Sequence, residues 1–211
     1  MSKLKVDQIS KASGASPATF TLPAADGTAG QYMKTDGSGA LSFGTVTVPA
    51  AGLTTASQWR LTADFTGDAT PIGDSVGTLA VCDTNGYANL GTGMGYSSGV
   101  FTFPTGGTGW WYLLGQFTVT TAANASAAGR LEYTADNGGA WTTASISATS
   151  NYYAFRGNVN IHHLLKITDL ANQKVRWCMD ADEAGQGGTV TTRGDTAITE
   201  TGFTFIKLAD I

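Results

Sequence analysis

Two adjacent histidines and an acidic loop are the residues of this chain best suited to metal chemistry. His162 and His163 point to opposite faces if they lie on a strand, so they cannot chelate one ion within a single chain. Three copies of His162 around a three-fold axis could bind one metal. Asp180, Asp182 and Glu183 carry oxygen ligands of the kind that Ca²⁺ prefers, but their spacing does not match an EF-hand loop. A solvated turn is the favoured interpretation, and we expect no metal or cofactor.

Two catalytic motifs are absent from the sequence, the P-loop and the His-Glu-x-x-His motif of zinc proteases. We therefore expect a protein that is not an enzyme. Four aromatic residues could stack on sugars, although such residues more often belong to a core or an interface: Tyr96, Trp110, Tyr152 and Tyr153.

The composition indicates a neutral surface rich in turns. Only 13% of the 211 residues are charged, 28 are glycine, and the net charge is −4. The 12 Lys and Arg residues are scattered and form no basic stripe, which argues against nucleic-acid binding. No apolar run is long enough for a membrane span and the first residues lack the apolar region of a secretory signal, so we expect assembly in a cytoplasm. Cys82 and Cys178 are then expected to be reduced, buried thiols.

Residues 1–50 are predicted to form an extended N-terminal attachment arm. Gly and Pro recur between residues 14 and 49 at a density that excludes a helix of useful length. Short strand-like segments lie between them, each with too few apolar residues to order alone, so we expect a binding partner to order the arm. The predicted attachment residues are Leu4, Val6, Ile9, Phe20, Leu22, Tyr32, Met33, Leu41 and Phe43.

Residues 57–211, after a linker at 51–56, alternate apolar and polar residues as half-buried strands do. About eight to ten strands and no helix predict an all-β sandwich or jelly roll. The segment 136–139 is predicted to be a hairpin turn. Between residues 110 and 119, Trp111, Leu113, Phe117 and Val119 form the predicted core face.

The other face of this predicted strand is also apolar. Trp110, Tyr112 and Leu114 lie there, and a strand that is apolar on both sides must be covered on both sides. These three residues are the predicted trimer interface. The alternative is an interior strand that the chain's own loops cover.

Two segments resemble those of bacteriophage tail-fibre and virion-appendage proteins, marine ones in particular. They are residues 21–43, from Thr21 to Phe43, and the opening Leu4-Lys5-Val6-Asp7-Gln8-Ile9. The resemblance implies a virion protein assembled in a bacterial host.

A second set of motifs resembles the C1q/TNF-like family of jelly rolls. Gly99-Val100-Phe101-Thr102-Phe103-Pro104 matches the first half of the family signature, Gly109-Trp110-Trp111-Tyr112-Leu113 is a looser match to the second half, and Thr201–Ile206 is similar to the closing strand. This resemblance implies a compact homotrimer.

The combined hypothesis is a homotrimeric tail fibre or appendage of a virion. Its arm attaches to other virion proteins, and its head projects towards the host surface, where host glycan is a candidate partner. The alternatives are a capsid decoration protein that stabilises the shell and a glycan-binding module independent of any virion. A hydrolase is disfavoured because no convincing pair of acidic residues is present.

Overall fold

The structure, a computed structural model, describes residues 6–10, 19–46, 52–82, 89–181 and 188–211. The chain divides into two compact units, Met1–Ala51 and Gly52–Ile211. The described residues contain strands and turns but no helix. It follows that no helix in these ranges is long and apolar enough to span a membrane.

The N-terminal unit consists of two small antiparallel pairs. Its strands are β1 (Gln8–Ser10) with β2 (Thr19–Thr21), and β3 (Gln31–Thr35) with β4 (Leu41–Thr45). The β3–β4 turn is held by the Asp36 carboxylate, which accepts hydrogen bonds from the backbone N–H groups of Ser38 at 2.8 Å and Ala40 at 3.0 Å. Instead of one extended run, the described part of this segment therefore pairs locally, because Asp and Gly close tight turns within it.

The C-terminal unit is built from two antiparallel sheets that face each other. The first sheet has the order β13–β10–β16–β5–β7, and β15 and β6 extend it alongside β10. The second has the order β12–β11–β14–β9–β8. The strands are β5 (Ala56–Leu61), β6 (Phe65–Thr66), β7 (Leu79–Val81), β8 (Gly95–Ser97), β9 (Val100–Thr102), β10 (Gly109–Thr121), β11 (Ala125–Thr134), β12 (Thr142–Asn151), β13 (Phe155–Ile167), β14 (Lys174–Ala181), β15 (Val190–Thr192) and β16 (Gly202–Ala209).

The core lies between the two sheets and is dominated by aromatic rings. Trp111, Leu113, Phe117 and Val119 of β10 are completely buried, which confirms the predicted core face. From the opposite sheet, Trp177 stacks on Phe203 with ring centroids 4.9 Å apart and planes 6° apart. Each large apolar side chain buried in this way stabilises the fold by roughly 1.5–3 kcal/mol.

A glycine in β10 makes room for the largest of these rings. A Cβ atom at Gly115 would lie 2.6 Å from Cζ3 of Trp177, far inside normal contact distance. The two sheets can therefore approach at this point only because residue 115 has no side chain.

Three details of the C-terminal unit refine the sequence predictions. It contains twelve described strands, β5 to β16, rather than eight to ten, because β6, β7, β8, β9 and β15 are only two or three residues long. The hairpin predicted at 136–139 is present between β11 and β12. Cys82 and Cys178 are both buried and are not bonded to each other.

Candidate interaction surface

The outer face of the first sheet, which points away from the core, carries the predicted interface residues. Tyr112 of β10 lies opposite Leu164 of β13 on one side and Ile206 of β16 on the other. In the same register, Trp110 lies opposite Lys166 and Leu114 lies opposite His162 and Thr204. Side chains at these paired positions share one face. The face therefore extends from the predicted residues onto both neighbouring strands.

This face keeps a large apolar area in contact with solvent in the single chain. Trp110 is 43% exposed, Leu164 is 56% exposed and Leu208 is 48% exposed. Together with the half-buried side chains of Tyr112, Leu114 and Ile206, they form what we call the apolar outer face: Trp110, Tyr112, Leu114, Leu164, Ile206 and Leu208. Large exposed apolar surfaces are typical of interaction sites, so this face is the candidate interaction surface.

Polar residues continue the same face towards the other end of β10. Gln116 lies opposite Asn160, and Thr118 lies opposite Asn158. The Thr118 hydroxyl lies 3.0 Å from Asn158 Oδ1 and 2.7 Å from the backbone oxygen of Glu200. The face is therefore graded, with apolar residues at the Trp110 end and hydrogen-bonded polar residues at the Thr118 end.

The two histidines lie on opposite faces of β13, as predicted. His162 is exposed on the outer face, and its Nδ1 is hydrogen-bonded to the hydroxyl of Tyr112. His163 lies half-buried on the inner face, where burial lowers the pKa of its imidazole. The Tyr112–His162 bond fixes both rings on the outer face.

Only one of the three acidic candidates, Asp180, lies within the described residues. Asp180 Oδ1 lies 2.9 Å from the Arg130 guanidinium, so its charge is already balanced by a cation. Asp182 and Glu183 lie outside the described residues. No group of three or more His, Cys, Asp or Glu side chains with metal-binding geometry occurs in the ranges that the structure describes.

The buried Cys178 lies beside Glu132, in surroundings that do not favour its thiolate. Burial, reinforced by the nearby negative charge of Glu132, raises the pKa of Cys178 to about 12. The Cys178 thiol is therefore protonated at neutral pH and is a poor nucleophile.

The N-terminal unit exposes most of its predicted attachment residues. Val6, Ile9, Phe20, Tyr32 and Met33 are between 39% and 56% exposed. Three more are half-buried: Leu22, Leu41 and Phe43. Leu4 lies outside the described residues. None of the described residues of this unit is fully buried, so its apolar side chains remain available to a partner.

Comparison with known proteins gives a result for the fold alone. No protein-family model and no curated protein matches this sequence. Solved structures do match. Eiger TNF from S. frugiperda has a TM-score of 0.54 and 11% identity over 76% of this chain and 96% of that chain. Murine APRIL, crystallised at pH 5.0, has a TM-score of 0.51 and 10% identity over 73% of this chain and 98% of that chain.

The chain contains a TNF-like jelly roll. The predicted all-β fold and the predicted TNF-like architecture are therefore confirmed. At about 10% identity the likeness shows the fold and does not transfer a function.

Sequence reasoning missed part of the apolar outer face. Leu164, Ile206 and Leu208 are remote from Trp110 along the chain, and only strand pairing brings them together. One signal was present in the sequence: Leu164 follows the same alternation as His162 on the outer side of β13.

The aromatic residues considered for sugar stacking lie in three different environments. Tyr96 packs between Trp59 and Phe101, and its hydroxyl donates a hydrogen bond to the Gly73 backbone oxygen at 2.8 Å, so its ring belongs to the core. Trp110 lies on the apolar outer face. Tyr152 and Tyr153, 70% and 72% exposed, form an edge-to-face pair between β12 and β13.

Proposed function

We propose that this chain is a non-enzymatic structural protein of a bacteriophage virion, a trimeric tail fibre or appendage. The N-terminal unit attaches to other virion proteins, and the TNF-like jelly roll projects for contact with the host surface. The resemblance of residues 4–9 and 21–43 to virion-appendage proteins supports the assignment to a particle.

The observation that carries the proposal is the exposure of the N-terminal apolar residues. Ile9 and Phe20 lie opposite each other in the β1–β2 pair and are 56% and 39% exposed. Among the described residues of this unit, 6–10 and 19–46, none is fully buried, so burial contributes too little to offset the conformational entropy of ordering. Other virion proteins would cover these side chains and order the unit.

Self-association is supported by the apolar outer face of the jelly roll. Trp110, Leu164 and Leu208 lose water contact only if another surface covers them. A copy of the same chain provides a surface of matching apolar character, and three copies around one axis close the assembly without leaving an unpaired face. The polar end near Thr118 would then lie at the wetter part of the interface.

Gold-labelled antibodies against the jelly roll, applied to purified virions, test the proposed location. Label on the tail or its appendages is the expected result. Label over the capsid surface would instead support the decoration protein. An absence of label from particles that package normally would refute a virion role and would leave the glycan-binding module as the remaining alternative.

A matched pair of variants tests attachment through the N-terminal unit. Replacing both Ile9 and Phe20 with Ser removes the apolar pair of β1–β2 and should leave the protein soluble but absent from particles. The control is Ile198→Ser, which changes an isoleucine of similar exposure, 60%, in the jelly-roll unit. Equal incorporation of both variants would contradict the proposed role of the N-terminal unit.

A further inference from the structure

A cleft on the outer surface of the second sheet has the features of a small-molecule site. Its volume is about 440 Å³, within the ~300–1,000 Å³ range of ligand pockets. The floor is formed where β9 pairs with β14, with Thr102 opposite Lys174 and Val100 opposite Arg176. One wall is the turn that carries Asn137 and Trp141, and the other contains Asp74, Ser97 and Ser98. We call this the Trp141 cleft.

Contacts with the sheet hold the indole ring of Trp141 in place. The guanidinium carbon of Arg176 lies 4.3 Å from the centroid of the Trp141 ring. Arg176 is itself fixed, because its Nε donates a hydrogen bond of 2.6 Å to the Glu132 carboxylate. Stacking of this kind orients a tryptophan before any ligand arrives.

The turn that carries Trp141 is also ordered in advance by its own hydrogen bonds. The Thr134 hydroxyl lies 2.6 Å from the Asp136 carboxylate and accepts a hydrogen bond from the Gly138 N–H at 3.1 Å. The Asp136 carboxylate accepts a second hydrogen bond from the Ala140 N–H at 2.9 Å, and the Asn137 N–H donates to the Asn172 backbone oxygen at 2.9 Å. A wall fixed in this way loses little conformational entropy on binding.

Apart from Arg176, the charged and amide side chains of the cleft are not used by the fold. Within the described residues, the side chains of Asp74, Asn137 and Lys174 and the hydroxyls of Ser97 and Ser98 form no hydrogen bond or ion pair. Lys174 only donates and Asp74 only accepts, while the amide and the hydroxyls do both. The cleft therefore presents donors and acceptors side by side around an aromatic ring.

The charges of the cleft favour an uncharged ligand. Glu132 already balances Arg176, with Nε and Oε2 2.6 Å apart. The other cation of the cleft is Lys174, and the carboxylate of Asp74 carries one charge of the opposite sign. The cleft therefore has no excess positive charge that would attract a sulfate, phosphate or carboxylate group. A sugar hydroxyl both donates and accepts, and the C–H face of a pyranose ring is apolar enough to pack on an indole.

We propose that the Trp141 cleft binds a neutral saccharide, with Trp141 as the stacking platform and with Asp74 and Lys174 as hydrogen-bonding partners of its hydroxyl groups. The site deepens the proposed host-surface contact and rests on it for its biological meaning. The proposed stacking residue therefore differs from the four candidates considered from the sequence, none of which lines this cleft: Tyr96, Trp110, Tyr152 and Tyr153.

The test begins with the full-length chain on an array that carries neutral oligosaccharides of glucose, mannose, galactose and N-acetylhexosamines, together with sulfated and uronic-acid oligosaccharides. Binding to one or more neutral members is expected. The best neutral oligosaccharide is then titrated by calorimetry into the wild type, Trp141→Ala, Asp74→Asn and the control Tyr153→Ala. Asp74 is exposed, so Asp74→Asn removes the charge with little risk to folding.

We expect binding to weaken about tenfold or more in Trp141→Ala and in Asp74→Asn, and to stay within about twofold of the wild type in Tyr153→Ala. Binding to acidic members alone, no binding at all, or equal affinity in all four proteins would overturn the proposal. The two proposals fail separately. If Trp141→Ala binds the saccharide as tightly as the wild type, the cleft is not the binding site, and the proposed virion role is unaffected. If the protein is absent from virions, the virion role is refuted, and a measured saccharide site remains.

Discussion

Leu164→Glu is the sharpest perturbation of the proposed trimer. Leu164 lies opposite Tyr112 at the centre of the apolar outer face and is 56% exposed in the single chain. Because more than half of its surface is free, the substitution should leave the jelly roll folded. In a trimer the same position would be covered, and a carboxylate there would lose most of its hydration.

The size of the effect can be worked out from the exposed fraction. Full burial of a leucine contributes about 2 kcal/mol, so covering the remaining 56% of Leu164 contributes about 1 kcal/mol for each copy. Three copies contribute about 3 kcal/mol to assembly. Loss of this contribution in Leu164→Ala would lower the assembly constant more than a hundredfold. A glutamate adds the desolvation cost of its carboxylate, which is several kcal/mol for each buried copy. We therefore expect Leu164→Glu to be monomeric at micromolar concentration.

Sedimentation velocity over a dilution series is the appropriate assay. The matched control is Ile146→Glu, which places the same charge on the second sheet at a residue of similar exposure, 50%. The control should assemble like the wild type. If Leu164→Glu forms the same assembly as Ile146→Glu, with the same dissociation on dilution, the apolar outer face is not the interface.

Three further predictions concern the fold itself. Gly115→Ala should lower the free energy of unfolding by about 1–3 kcal/mol, measured by chemical denaturation, because its Cβ would collide with Trp177 in the core. Thr134→Val should loosen the turn at 136–139 by about 1–2 kcal/mol, seen as faster amide hydrogen exchange there, because the hydroxyl that bonds Asp136 is lost. The free energy of unfolding should fall as the pH drops below 6.5, because burial lowers the pKa of His163 in the folded state and the unfolded state binds the proton more readily. The loss of stability begins near the ordinary pKa of 6.5 and is complete below the pKa of the folded state. His163→Phe should reduce this loss.

Each of these three predictions has a result that would contradict it. Unchanged unfolding in Gly115→Ala would mean that the two sheets can separate at Trp177 without cost. Normal exchange in Thr134→Val would show that Asp136 holds the turn unaided. A His163→Phe variant that keeps the full pH dependence of the wild type would contradict the assignment to His163.

Local pattern was enough to predict the strands and turns of the jelly roll. Alternation at 110–119 identified Trp111 and Phe117 as core residues because one face of a strand repeats every second residue. The turn at 136–139 was predictable because it requires residues that tolerate positive φ, and Asn137 and Gly138 have φ values of 63° and 101°.

Pairing between distant segments could not be predicted in the same way. Tyr112 and Leu164 become neighbours only through the register of β10 and β13. Likewise, the Trp141 cleft joins a turn, a loop and two strands that are remote in sequence, and nothing in the local pattern around Asp74 or Lys174 marks them as its lining. The same holds for Tyr96, because the sequence around it does not show that its ring packs against Phe101 in the core.

The mass of the full-length protein in solution tests the central claim most directly. One chain has a mass of 21.7 kDa, and three times this value is about 65 kDa. Light scattering coupled to size exclusion should give about 65 kDa for the wild type at micromolar concentration. A stable species of 21.7 kDa that keeps its apolar outer face in water at every concentration would contradict the account.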